Sequence, residues 1–143
     1  MDIINTQNRI FKFRVWDHNL KKFIENFNAD PHISCWNGTV YCYERQKEGG
    51  DVLVSGIRNI TVQQYTGMKD KNGKEIYEGD ILSEKQWNGN EIFGEVKWVS
   101  KIDGYDWSGW YSYPVSLPRI TSTDCVVVGN IFENPKLLKQ NEQ

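Results

Sequence analysis

Between Gln64 and Leu82 three short strand-like runs are joined by glycine-bearing corners at Gly67, at Asp70-Lys71-Asn72-Gly73 and at Gly79-Asp80. A tight hairpin needs residues that tolerate positive φ, and Asn72-Gly73 supplies them. Gly79-Asp80 re-aims the chain before the next run. Corners this closely spaced specify a small curled β-sheet. They specify no chemistry.

The same alternation of strand and corner runs through most of the chain. Ile10 to Trp16 places Phe11, Phe13 and Val15 on one face and Lys12 and Arg14 on the other, and Asp17 to Lys21 reads as a turn into a returning strand, Lys22 to Phe27. Ile33 to Tyr43 reads as a second hairpin around Asn37-Gly38. Residues 44–59 read as a long charged loop with one short strand at Val52-Leu53-Val54. Strands are then expected at Ile60–Tyr65, Lys74–Tyr77, Asp80–Glu84, Glu91–Val99 and Cys125–Phe132, with Asn88-Gly89-Asn90 as a further turn. Tyr77 and Ile81 are expected in the core, and Asn72-Gly73 at an exposed tip. Asn134-Pro135 opens a short C-terminal helix or tail.

This punctuation predicts a mainly β protein in three parts. Residues 1–59 form an N-terminal β-hairpin region, residues 60–135 an SH3-like small barrel, and residues 136–143 a C-terminal tail. The length of 143 residues suits one ordinary domain or a small barrel with an extension. Aromatic residues make up 13%, with six Trp, and supply much of the available apolar burial.

Charge excludes some partners. The net charge of -2 gives no global attraction to phosphate backbones or anionic membranes. Splitting the chain does not change this: residues 1–59 carry eight Lys/Arg against seven Asp/Glu, and residues 60–143 nine against twelve. Val126-Val127-Val128 is too short to span a bilayer, and Met1 to Thr6 has no positive, then apolar, leader pattern. A cytoplasmic protein with free thiols is expected. A two-residue Asn37-Gly38 loop places Cys35 opposite Val40 and makes Cys42 its diagonal neighbour at roughly 7 Å, the outer limit for a disulfide. Cys125 is left over. His32, Cys35 and Cys42 lack metal-ligand spacing, and Asp70-Lys71-Asn72-Gly73 lacks the later ligands of a calcium loop. Neither a metal nor another cofactor is expected.

Phe11-Lys12-Phe13-Arg14-Val15-Trp16-Asp17, the Gln64–Leu82 segment, Gly94-Glu95-Val96-Lys97-Trp98 and Val128-Gly129-Asn130-Ile131-Phe132-Glu133-Asn134-Pro135 together resemble the YopX family. The blocks stand in the family's order and reach from near the N-terminus to Pro135; residues 28–58 match no part of the pattern. The resemblance implies an SH3-type barrel in the C-terminal part and a bacteriophage or prophage origin, hence residence in the cytoplasm of a bacterial host. It implies no reaction and no catalytic residues.

The candidate binding residues are therefore read from the side chains alone. Tyr105 to Tyr113 interleaves rings, among them Trp107, Trp110 and Tyr111, that can stack on bases or sugars; alternate rings can equally fill the core of a strand. Lys69, Lys71 and Lys74 crowd the Asp70–Lys74 turn and can touch phosphate, or simply solvate a hairpin tip. His18 and His32 have no nucleophile beside them, and Glu75, Glu78 and Asp80 form no acid/base pair, so a non-enzymatic protein is expected. Its expected partner is a host or phage protein, or a second copy of the chain. A single-stranded nucleic acid held by segment 105–113 is the alternative, disfavoured by Asp103 and Asp106.

Overall fold

The computed structural model describes residues 12–24, 32–33, 40–41, 43–45, 48–53, 59–99, 109–113 and 125–142. The chain is mainly β with curled sheets, and it divides into two compact units, Phe13–Gln64 and Met1–Lys12 with Tyr65–Gln143. The division falls inside a strand, whereas the charge and glycine pattern placed it after residue 59.

In the Phe13–Gln64 unit, β1 (Phe13–Asp17) pairs antiparallel with β2 (Lys22–Phe23). On its other side β1 pairs with the first half of a later strand, Phe13 opposite Gln64 and Asp17 opposite Ile60. Val15 is buried with Ile24, Ile60 and Val62 around it. Trp16, also buried, meets the Phe23 ring edge-on at 5.0 Å, directly across the ladder. The Arg14 guanidinium lies 4.4 Å from the centre of the Phe23 ring, and its Nε donates to Gln63 Oε1 at 2.8 Å. The turn between β1 and β2 is closed by Asp17, whose Oδ1 accepts the Asn19 and Leu20 N–H groups.

Two sequence expectations in this unit need correction. In the second hairpin, β3 (His32–Ile33) pairs with β4 (Val40–Tyr41) with Ile33, not Cys35, opposite Val40. Cys35, Cys42 and Asn37-Gly38 themselves lie outside the described residues. The stretch read as a charged loop contains a hairpin, β5 (Tyr43–Arg45) paired with β6 (Asp51–Leu53). Gly49 and Gly50, both at positive φ of 91° and 93°, turn the chain between them.

The second unit begins within β7 (Ile60–Lys69), whose C-terminal half pairs with β8 (Glu75–Tyr77). The register shifts between Tyr65 and Lys69, so Gly67 is a bulge in a continuous strand and not the end of one. Thr66 spans the bulge: its hydroxyl donates to the Ile76 carbonyl at 2.8 Å and accepts the Met68 N–H. A four-stranded antiparallel sheet follows, built from β9 (Asp80–Lys85), β10 (Glu91–Val99), β11 (Gly109–Tyr113) and β12 (Cys125–Asn130) in the order β11-β10-β9-β12.

Leu82, Val96, Cys125 and Val127 lie on one face of that sheet and join Ile76 in a core against which Met68 and Trp110 pack. Ile81, on the opposite face of β9, is equally buried, as the sequence predicts, while Tyr77 is half-buried. Both faces of the central strand are thus covered, which accounts for the nearly continuous apolar reading of Ile81-Leu82.

The chain leaves β12 through a compact turn. Asn130 Oδ1 accepts the Phe132 and Glu133 N–H groups, Asn134 N–H donates to the Asn130 carbonyl at 2.9 Å, and a 3-10 helix, Pro135–Glu142, packs against β10. Asn134 closes over Gly129 so tightly that a Cβ there would lie 2.4 Å from Asn134 Oδ1 and 2.8 Å from its Cβ. The glycine in Val128-Gly129-Asn130 is required by that approach. Gly129→Ala is expected to destabilise the chain by about 1–3 kcal/mol, as overpacking does. Urea unfolding checks this, the midpoint falling with little change in slope.

Candidate functional site

The second unit carries two hairpin tips of one construction. At the first, Asp70 N–H donates to the Lys74 carbonyl at 2.8 Å and Gly73 N–H to the Asp70 carbonyl at 2.9 Å, with Gly73 at φ 83°. At the second, Gln86 N–H donates to Asn90 and Gly89 N–H to Gln86, with Gly89 at φ 84°. Each is a three-residue loop ending in a left-handed glycine. Asn72 keeps a negative φ, so glycine alone supplies the left-handed residue where the sequence suggested the Asn-Gly pair together. Asn72-Gly73 is exposed, as expected.

Asp70 does more than close its own turn. The residue is 5% exposed; Oδ1 accepts the Asn72 and Lys74 N–H groups, each at 2.9 Å, and Oδ2 accepts the Val127 N–H at 3.0 Å. Beside it, Lys71 N–H donates to the Cys125 carbonyl at 3.2 Å. One buried carboxylate thus ties the β7–β8 tip to β12. Desolvation pushes its pKa up, but the N–H groups of Val127, Lys74 and Asn72 and the Lys74 ammonium outweigh it, and the carboxyl sits below its ordinary value.

Because β12 pairs with β9, Cys125 opposite Glu84, the two tips stand at the same end of this unit. The first presents Lys69, Lys71 and Lys74, all exposed; the second presents Lys85 and Trp87, the latter 98% exposed. Trp87 is not among the sequence candidates; it falls between the strand expected at Asp80–Glu84 and the Asn88-Gly89-Asn90 turn. The one available signal is its place directly before Asn88-Gly89, where a ladder position with a buried face has already ended.

The aromatic candidates are dispersed. Tyr111 is 5% exposed, so its ring belongs to the packed interior and offers no stacking face; it lies on the sheet face opposite Trp110. Trp110 is half-buried against the core and stands across the ladder from Trp98, ring centres 5.2 Å apart and planes at 77°. Trp98 keeps 48% of its surface exposed. Trp107 lies outside the described residues. The structure therefore places the three lysines at the same end of the unit as Trp87, and Trp110 and Tyr111 elsewhere in the sheet.

Other ionisable groups in the second unit take structural bonds. Lys12 Nζ reaches Glu75 Oε1 at 2.5 Å and lies 5.5 Å from the Tyr65 ring centre, while Tyr77 donates its hydroxyl proton to Glu75 Oε2 at 2.9 Å. Those bonds from Lys12 and Tyr77 hold the Glu75 carboxyl below its usual range, and the bond to Glu75 raises the Lys12 ammonium. Asp80 Oδ2 accepts the Tyr77 N–H at 2.8 Å. Among the described residues no group of three His, Cys, Asp or Glu is arranged to hold a metal ion, and no helix is long and apolar enough to cross a membrane.

Residues 12–139 match the family model described as YopX protein. The fold is similar to the crystal structure of protein EF1440 from Enterococcus faecalis, with a TM-score of 0.61 and 27% identity over 90% of this chain and 98% of that one. No curated protein matches the chain.

Asp70 generates a pH prediction. Its folded pKa is depressed, so its stabilising contribution is complete above the unfolded value of 3.8 and is lost as pH falls through the folded one. In Asp70→Asn the amide can serve the turn through its oxygen but sets an N–H against the Val127 N–H. Urea titrations are expected to show the variant less stable at neutral pH by about 1–3 kcal/mol, with a shallower loss of stability on acidification than the parent.

Proposed function

The chain belongs to the YopX family, and from that premise we propose that it acts as a non-enzymatic accessory protein that binds another protein, of the phage or of its bacterial host, in the host cytoplasm. The observation that carries this reading is the Trp98–Trp110 pair at the margin of the four-stranded sheet. Trp110 is seated on the core and props Trp98, which leaves 48% of its surface to solvent beside β11, the terminal strand of that sheet order. A half-exposed, rigidly backed Trp is the side chain that most often dominates a protein interface. A terminal strand adds a ladder of backbone groups that a partner, including a second copy of this chain, can extend.

Two further features support the reading. Asp70, Glu75 and Asp80 are engaged in bonds that hold the fold. The antiparallel strands with glycine corners, closed by a 3-10 helix, support an SH3-like barrel over residues 60–135, a type of scaffold that presents ligand surfaces on its loops and edges. The alternative of a nucleic-acid surface on segment 105–113 loses Tyr111 to the interior.

Trp98→Ala tests the proposal. Tagged parent protein should retain a discrete host or phage protein from an infected-cell lysate, or a second copy of itself by light scattering. The variant should lose that partner by about thirtyfold in affinity, with an unchanged circular-dichroism spectrum. Equal retention by parent and variant removes this surface from the function.

A further inference from the structure

We propose that the end of the second unit formed by the two hairpin tips is a separate binding site for single-stranded nucleic acid, in which Trp87 stacks on a base and Lys69, Lys71, Lys74 and Lys85 contact the flanking phosphates. The reading is independent of the Trp98 surface, which lies toward the other end of β10.

Three observations carry it. The first is the position of Trp87. At 98% exposure it contributes nothing to the core, and it stands on a loop whose two backbone hydrogen bonds, Gln86 to Asn90 and Gly89 to Gln86, hold it in a fixed turn. A large ring fully presented to water on an ordered tip is costly to maintain for packing and suited to stacking, which is worth much per base and tolerates any base.

The second is local charge. Among the described residues the ammonium groups of Lys71 and Lys85 pair with no carboxylate, and all four lysines are exposed. Acids stand among them: Asp70 acts on Lys74, Glu75 on Lys69 as well as Lys12, Glu84 adjoins Lys85, and Glu91, across the ladder from Lys85, accepts the Ser83 hydroxyl.

The third is spacing. From Lys71 to Cys125 and from Cys125 to Glu84 are two neighbouring-strand steps, about 10 Å together. Trp87 stands three residues beyond Glu84, at most about 10 Å further. Lysine tip and tryptophan tip thus bracket a strand of about four nucleotides, the lower limit of single-stranded sites. The Asp70–Val127 bond holds that bracket together, because it fixes the first tip to the strand beside the second.

The test uses the full chain and a fluorescein-labelled thymidine oligomer of about twelve nucleotides, followed by anisotropy at several salt concentrations. The parent should bind at low salt with log Kd rising with log salt at about 0.7 per phosphate contacted. Trp87→Ala should weaken binding at least about fivefold. The double variant Lys71→Ser/Lys85→Ser should lower the salt slope by about 1.4, and Trp98→Ala should leave binding unchanged. No binding at low salt, or binding that Trp87→Ala leaves intact, overturns the proposal. So does loss of a captured protein in Trp87→Ala without any oligomer binding, which assigns the tip to a protein interface instead.

Discussion

The buried carboxylate of Asp70 is the constraint on which the second unit depends. It accepts three backbone N–H groups, two from its own turn and one from Val127, which is 57 residues away in sequence. A carboxylate taken out of water is expensive unless its lone pairs are met, and an N–H left without it is expensive in turn. The mutual requirement fixes the β7–β8 tip against β12. It thereby sets where Ile76 meets Val127 and Cys125, the contacts around which the core closes.

Glycine then governs how closely the pieces approach. Gly73 and Gly89 let two loops of the same design end in left-handed residues, and Gly129 lets Asn134 close over the exit from β12. Gly94 plays the corresponding part inside the sheet, where a Cβ would lie 1.9 Å from Ser112 Oγ. The demand differs with position: Gly73 and Gly89 stand in open space and are needed for their positive φ, whereas Gly94 and Gly129 are needed for a close approach.

Much of this was legible in the sequence because it is local. The corners at Gly73 and Gly79, the strands over Ile60–Tyr65, Asp80–Glu84 and Glu91–Val99, the burial of Ile81 and the C-terminal helix all follow from spacing and turn chemistry within a few residues. What failed was non-local or a matter of register. Ile33, and not Cys35, faces Val40, because register is set by the pairing of whole strands and not by a turn dipeptide alone. Tyr43–Arg45 and Asp51–Leu53 are too short and charged to show alternation, yet pair across Gly49-Gly50. Asp70 reads as a turn former, and nothing near it announces Val127. The candidate site failed in the same way: Trp110 and Tyr111 are adjacent in sequence, so they lie on opposite faces of their strand, whereas Trp87 and Lys71 are brought to one end of the unit only through β12.

Amide hydrogen exchange tests the role of Asp70 most directly. In the parent, the amides of Asn72, Lys74 and Val127 should be protected together and should open in one step, since they share one acceptor. In Asp70→Asn, protection at Val127 should fall along with that of its neighbours in β12, while the amides of β10 opposite β11 keep theirs. Unchanged protection at Val127 in the variant would contradict the account, because β12 would then be held without the carboxylate.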